Sequence, residues 1–192
     1  MAQTEQKNQN VKKQFEELQS LLERAMALQT SMVLFEWDDE TLAPKGAAEH
    51  TARVIGSLSE QYQEILASMR FKELLDACQK AEKENAGVFD EVQSAILREA
   101  AEEQERLSCI PPEEYRAYAE LTARATGIWT RAREKNDFAS FAPVLKEIIS
   151  YQKKFAAYRA KPGQKLYDVM LDTYEKGFNM EMLDPFFELM KG

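Results

Sequence analysis

Residues 14–37 read QFEELQSLLERAMALQTSMVLFEW, and this stretch decides the fold class. Leu18, Leu21, Ala25, Leu28, Met32 and Phe35 step by three and four, which puts them on one face of a helix expected over residues 5–36. Leu22, Met26 and Val33 widen the stripe beyond a coiled-coil seam, so the helix is suited to a globular bundle. It runs out near Trp37-Asp38-Asp39, and Pro44 and Gly46 punctuate the loop that follows.

The same period continues downstream. Ile55, Leu58, Tyr62, Ile65 and Met69 stripe a second helix that starts near Gly46. A short third helix over residues 71–83 carries Leu74, Leu75 and Cys78, and Asn85-Ala86-Gly87 stops it. A fourth, over residues 88–107, is expected to turn Phe89, Val92, Ile96 and Ala100 inward. Its outer face bears Glu99, Glu102, Glu103 and Glu105, with Glu102–Arg106 as an expected i,i+4 pair. Pro111-Pro112-Glu113-Glu114 opens a fifth helix, with proline in the first turn and acids at the positive dipole end. It carries Tyr115, Tyr118, Leu121, Ala125, Ile128 and Trp129, and the aromatics are expected in the core. Asn136-Asp137 breaks it, and Ser140 is the expected cap of a sixth helix whose Pro143 would then lie in the first turn. After the turn at Lys161-Pro162-Gly163 come an apolar segment over residues 166–174 and a last amphipathic helix with Met182, Leu183, Phe186, Phe187 and Met190. No stretch alternates with period two. The expected fold class is all-α, a bundle of about six to eight helices forming one helical region over residues 1–192.

Composition narrows the function. The chain has 192 residues and a net charge of −8, with 44% hydrophobic and 30% charged residues. Mean hydropathy is −0.52. No apolar run reaches the ~18 residues of a membrane span, so no membrane partner is expected. The acidic balance argues against nucleic acid, whose phosphates call for a basic stripe. Residues 1–11 are polar, without the apolar region of a signal peptide. Cys78 and Cys109 are too few and too far apart for a disulfide framework and are expected as inert buried thiols. A reducing, cytoplasmic setting is the expectation.

His50 is the single histidine. A His-Glu-x-x-His helix needs two, and a catalytic zinc site usually takes three protein ligands. A di-metal bundle needs Glu-x-x-His twice, and position 47 is alanine. No G-x-S-x-G elbow and no glycine-rich phosphate loop occurs.

Three stretches carry a resemblance. Residues Phe35-Glu36-Trp37-Asp38-Asp39-Glu40-Thr41-Leu42-Ala43-Pro44-Lys45-Gly46-Ala47-Ala48 resemble the Trp-Asp-x-x-Thr-x-x-Pro-x-Gly segment of the carboxypeptidase Taq family. Tyr167-Asp168-Val169-Met170-Leu171-Asp172-Thr173-Tyr174-Glu175-Lys176-Gly177 is similar to that family's Tyr-Asp-x-x-Leu-Asp-x-Tyr-Glu-x-Gly segment. Between them, residues 137–145 resemble the stretch that precedes a long helix in the family. Order and spacing agree from about residue 10 onward.

The resemblance implies nearly all-helical, zinc-dependent metallocarboxypeptidases that remove C-terminal residues from peptides and are commonly homodimers. They share a deep groove with neurolysin-like and angiotensin-converting-enzyme-like peptidases. Their zinc is held by a His-Glu-x-x-His helix and a later Glu, in a part of the family sequence beyond the point where this chain ends. No catalytic or metal residue carries over. The chain is expected to be the N-terminal, groove wall and lid part of such an enzyme, binding no zinc and inactive alone. Its apolar faces are expected to drive homo-oligomers.

Trp37, Asp38 and His50 are the candidate groove-lining residues, against ordinary roles as a buried Trp, a capping Asp and a surface His. Asp168 and Asp172 share a face if residues 166–174 are helical, with Glu175 three residues on; three such acids could hold a cation, but without histidine structural hydrogen bonds or ion pairs are the expectation. Two other readings stand beside this one: a complete all-helical interaction module, and a related oligoendopeptidase.

Overall fold

The computed structural model describes residues 2–44 and 46–191. Lys45, inside the first family segment, lies outside them. The described residues form eight α-helices and no strand: α1 (Ala2–Thr41), α2 (Ala48–Ala67), α3 (Met69–Glu84), α4 (Glu91–Ser108), α5 (Pro112–Glu134), α6 (Phe138–Arg159), α7 (Leu166–Tyr174) and α8 (Met180–Lys191). The all-α expectation holds.

At 1.5 Å per residue α1 is roughly 60 Å long. Val11, Phe15, Leu18 and Ala25 keep its first half buried against α2 and α3. Farther on the stripe loses its cover. Met26 and Val33, expected to widen the packed face, are 63% and 57% exposed, and Trp37 is exposed too.

α2 is the central helix. It packs against α1, α3, α4 and α5 and buries Ala52, Ile55, Tyr62, Gln63 and Leu66 on two sides. Its crossing with α5 is close: a Cβ on Gly56 would stand 2.3 Å from Glu120 Cγ. Gln63 is fully buried and donates to the carbonyls of Leu107 (3.1 Å) and Ile110 (2.6 Å), giving Ile110 O a partner and adding to the backbone N–H of Ile110 that Leu107 O already accepts. The core proper joins α1 to α4 through Leu18, Leu66, Phe71, Leu74, Leu97 and Leu107.

Caps set several boundaries where the apolar period could not. Ser68 accepts from Phe71 N at 3.1 Å and starts α3 earlier than expected. Asp90 and Gln93 form a reciprocal capping box for α4 (2.8 and 3.1 Å). Asp137, not Ser140, caps α6, accepting from Ser140 N at 3.2 Å. Pro143 therefore lies beyond the first turn, where its ring removes one helical hydrogen bond at a largely solvated site.

Tyr118 of α5 and Tyr151 and Phe155 of α6 form an aromatic cluster with centroids 5.3–5.8 Å apart. Trp129 does not join it; at 44% exposure it stacks under Arg133, 5.2 Å from the ring. α7 buries only Val169 and α8 buries nothing.

Candidate functional site: the groove between α4 and α7

A cavity of about 1940 Å3 opens between a wall of α1 and α4 and a wall built by the end of α6 and α7. Its floor is apolar: Leu22, Ala25, Leu66, Ile96 and Ala100. Val92, expected inward, is 68% exposed because its face of α4 looks into this groove rather than into the core. Met26 and Tyr174 add further uncovered apolar surface to the walls.

Polar groups on the groove are organised in two sets. In the first, Tyr62 donates to Glu103 Oε1 at 2.9 Å, and Arg106 forks onto the same carboxylate at 2.6 and 2.9 Å. The i,i+4 pair expected between Glu102 and Arg106 is replaced by this i,i+3 pair. Burial, and then the Glu103 charge, push the Tyr62 phenol above its ordinary range. Burial opposes the charge on Arg106, but the fork to Glu103 outweighs it and the pKa is raised. Arg159 fares differently: burial, then the positive charge of Arg106, lower its pKa. It donates to Phe155 O (3.1 Å) and Thr173 Oγ1 (3.2 Å), tying α6 to α7. Cys109 also faces the groove and is half-buried rather than buried; desolvation still pushes its thiol up.

In the second set, Lys176 reaches across from the end of α7 to pair with Glu102 on α4. That hydrogen bond outweighs the cost of desolvation, and the charges of Glu102, Glu99 and Asp172 add to it, so the ammonium form is favoured.

The family-segment acids act as joints. Asp168 Oδ1 accepts from Met180 N at 2.9 Å, and Asp172 Oδ1 accepts from Gly177 N at 2.8 Å. The expected structural role holds for both; Glu175 is exposed.

Trp37, Asp38 and His50 flank the α1–α2 loop, away from the lining of this groove. Trp37 is not the buried residue its ordinary reading supposes. Asp38 closes α1 with its carbonyl, which accepts from Leu42 N (2.9 Å) and Ala43 N (2.8 Å). His50 is exposed in the first turn of α2. Beside them lies a smaller cavity of about 270 Å3, lined by Glu36, Asp39, Glu40, Thr51 and Thr126 among others. Burial, then Glu40, raise the Glu36 pKa.

Among the described residues no group of three or more His, Cys, Asp or Glu side chains could hold a metal ion. The described residues therefore do not fit a catalytic zinc site. The Glu99–Glu102–Asp172–Lys176 cluster was missed in the sequence because its members lie up to 77 positions apart; only the glutamate-rich face of α4 hinted at it.

Comparison with known proteins gives this geometry its context. The family model for the carboxypeptidase Taq (M32) metallopeptidases matches residues 17–192. Carboxypeptidase 1 of Bacillus subtilis is 33% identical over 171 residues, covering 89% of this chain and 33% of the relative. Thermostable carboxypeptidase 1 of Thermus thermophilus is 30% identical, with 90% and 36% covered. The crystal structure of BsuCP superposes with a TM-score of 0.87 at 32% identity over 93% of this chain and 35% of that one. Pyrococcus furiosus carboxypeptidase gives 0.70 at 28% over 93% and 35%. The chain thus spans about a third of the length of the relatives it matches. It belongs to the carboxypeptidase Taq (M32) metallopeptidase family.

Proposed function

We propose that this chain is the N-terminal helical region, a single folding unit, of a zinc-dependent metallocarboxypeptidase that removes C-terminal residues from peptides in the cytoplasm. It forms a wall and part of the lid of the substrate groove. The observation that carries this reading is the family match over residues 17–192 together with an open, apolar-floored groove on the same residues. A helical wall of this kind excludes water and positions a peptide; a zinc ion held by other residues of the longer protein would supply Lewis-acid chemistry. In the longer protein Trp37, Asp38 and His50 are the proposed groove-lining residues of a separate edge at the α1–α2 loop, not of the groove between α4 and α7. The 192-residue chain alone turns over no peptide.

The test has two arms. Reading the gene past the Gly192 codon should show an open frame that reaches a His-Glu-x-x-His pattern. The longer product should carry stoichiometric zinc and release C-terminal residues from a blocked dipeptide, and a chelator should abolish this. A stop codon at that point would overturn the reading in favour of an all-helical interaction module. One observation favours such a module: α8 exposes Met182, Phe186, Phe187 and Met190 by 52% or more. The same surfaces support self-association of the chain, which light scattering measures directly.

A further inference from the structure

We propose that the groove selects peptides bearing basic side chains, and that Lys176 occupies the place such a side chain takes. This rests on the groove being a peptide groove, and adds the class of peptide and an internal competitor.

The argument starts from charge. The α4 wall presents Glu99, Glu102, Glu103 and Glu105. Glu103 is neutralised by the Arg106 fork, and Glu102 by Lys176. Glu99 and Glu105 make no ion pair among the described residues, and Asp172 faces them from the α7 wall with only a backbone N–H at 2.8 Å. Arg159 and Lys161 bring positive charge to the part of the groove built by the end of α6, so the open carboxylates lie beside Lys176. An ammonium there meets carboxylates from both walls, and the chain itself demonstrates the fit, since Lys176 contacts Glu102 and is attracted by Glu99 and Asp172.

The occupant is replaceable. Lys176 and Glu102 keep 72% and 47% of their side-chain surface exposed, and exposed pairs contribute little and exchange readily with other cations. Beneath them the apolar floor and the uncovered Met26, Val92 and Tyr174 suit the apolar residues of the same peptide. The matching ligand is a short peptide that alternates apolar and basic side chains. Its cationic groups displace Lys176 from the carboxylates, and its apolar groups cover the floor.

The experiment measures fluorescence anisotropy of the intact chain with a fluorescein-labelled octapeptide alternating leucine and lysine. Its counterparts carry glutamine or glutamate in place of lysine. The lysine peptide should bind most tightly and the glutamate peptide least, with the difference collapsing at 0.5 M salt. Lys176→Gln, which vacates the carboxylates, should tighten the lysine peptide by roughly three- to fivefold, and Glu99→Gln combined with Glu102→Gln should weaken it by at least as much. All three positions are exposed, so circular dichroism should confirm unchanged helicity. Absence of binding, equal affinity for the three peptides, or indifference to Lys176→Gln would overturn the proposal. None of these results bears on zinc content or turnover of the longer gene product, where the peptidase reading is decided.

Discussion

The two ends of this molecule have similar sequence patterns and opposite packing. From α1 to α4, amphipathic helices meet one another: Phe71, Leu18, Leu74, Leu97 and Leu107 retain at most 1% of their surface. From α6 to α8, equally amphipathic helices find little to meet. α6 buries Phe155 and Ala156, α7 buries Val169, and no residue of α8 is buried. The difference teaches that periodicity declares which face of a helix is apolar, while cover depends on material supplied by other elements.

The sharpest way to break this contrast is a pair of matched truncations. Phe71→Ala removes a ring with 0% exposure and should cost about 3–5 kcal/mol in urea unfolding. Phe186→Ala, at 53% exposure, should cost less than about 0.5 kcal/mol. Similar losses would mean that α8 is covered in solution. Next in size is Gln63→Leu, which strands the carbonyl of Ile110 and removes one of the donors to Leu107 O, and should cost about 2 kcal/mol by the same measurement. Gly56→Ala follows at about 1–3 kcal/mol, since the new methyl meets Glu120. Glu120→Ala in the same chain should recover much of that loss, and a double-mutant cycle reads the coupling. Asp90→Ala dissolves the α4 capping box for about 1 kcal/mol. The last contrast is in thiol chemistry and is read as a labelling rate. Burial pushes the Cys78 thiol up to about 11, so between its ordinary value of 9.0 and that pH the unfolded state ionises first and stability falls as pH rises. A disulfide reagent at pH 8 should label Cys109 well before Cys78.

The helices were legible because three-and-four spacing survives any packing arrangement. Seven appear where the stripes place them, within a few residues, and the apolar segment over residues 166–174 proves to be α7. What failed were inferences about partners. Val92 sits on the expected stripe yet faces the groove, because α7 stands off from α4 at that level. Trp37 is exposed although its size argued for burial. Ser140 and Asp137 both carry capping oxygens, and only backbone geometry chose the aspartate. Of the candidate site, the acidic face of α4 could be read, but Glu102 met a lysine 74 positions away and not Arg106. Trp37, Asp38 and His50 gather around one loop, beside a cavity that their own side chains do not line.

The carboxylates of Asp168 and Asp172 have a consequence of their own. Each grips a backbone N–H beyond the end of α7, so polar joints help to set the bearing on which α8 leaves the body, although no residue of α8 is buried. A surface held ready in this way surrenders little orientational freedom when covered. Whatever polypeptide lies over α8 finds its target already aimed.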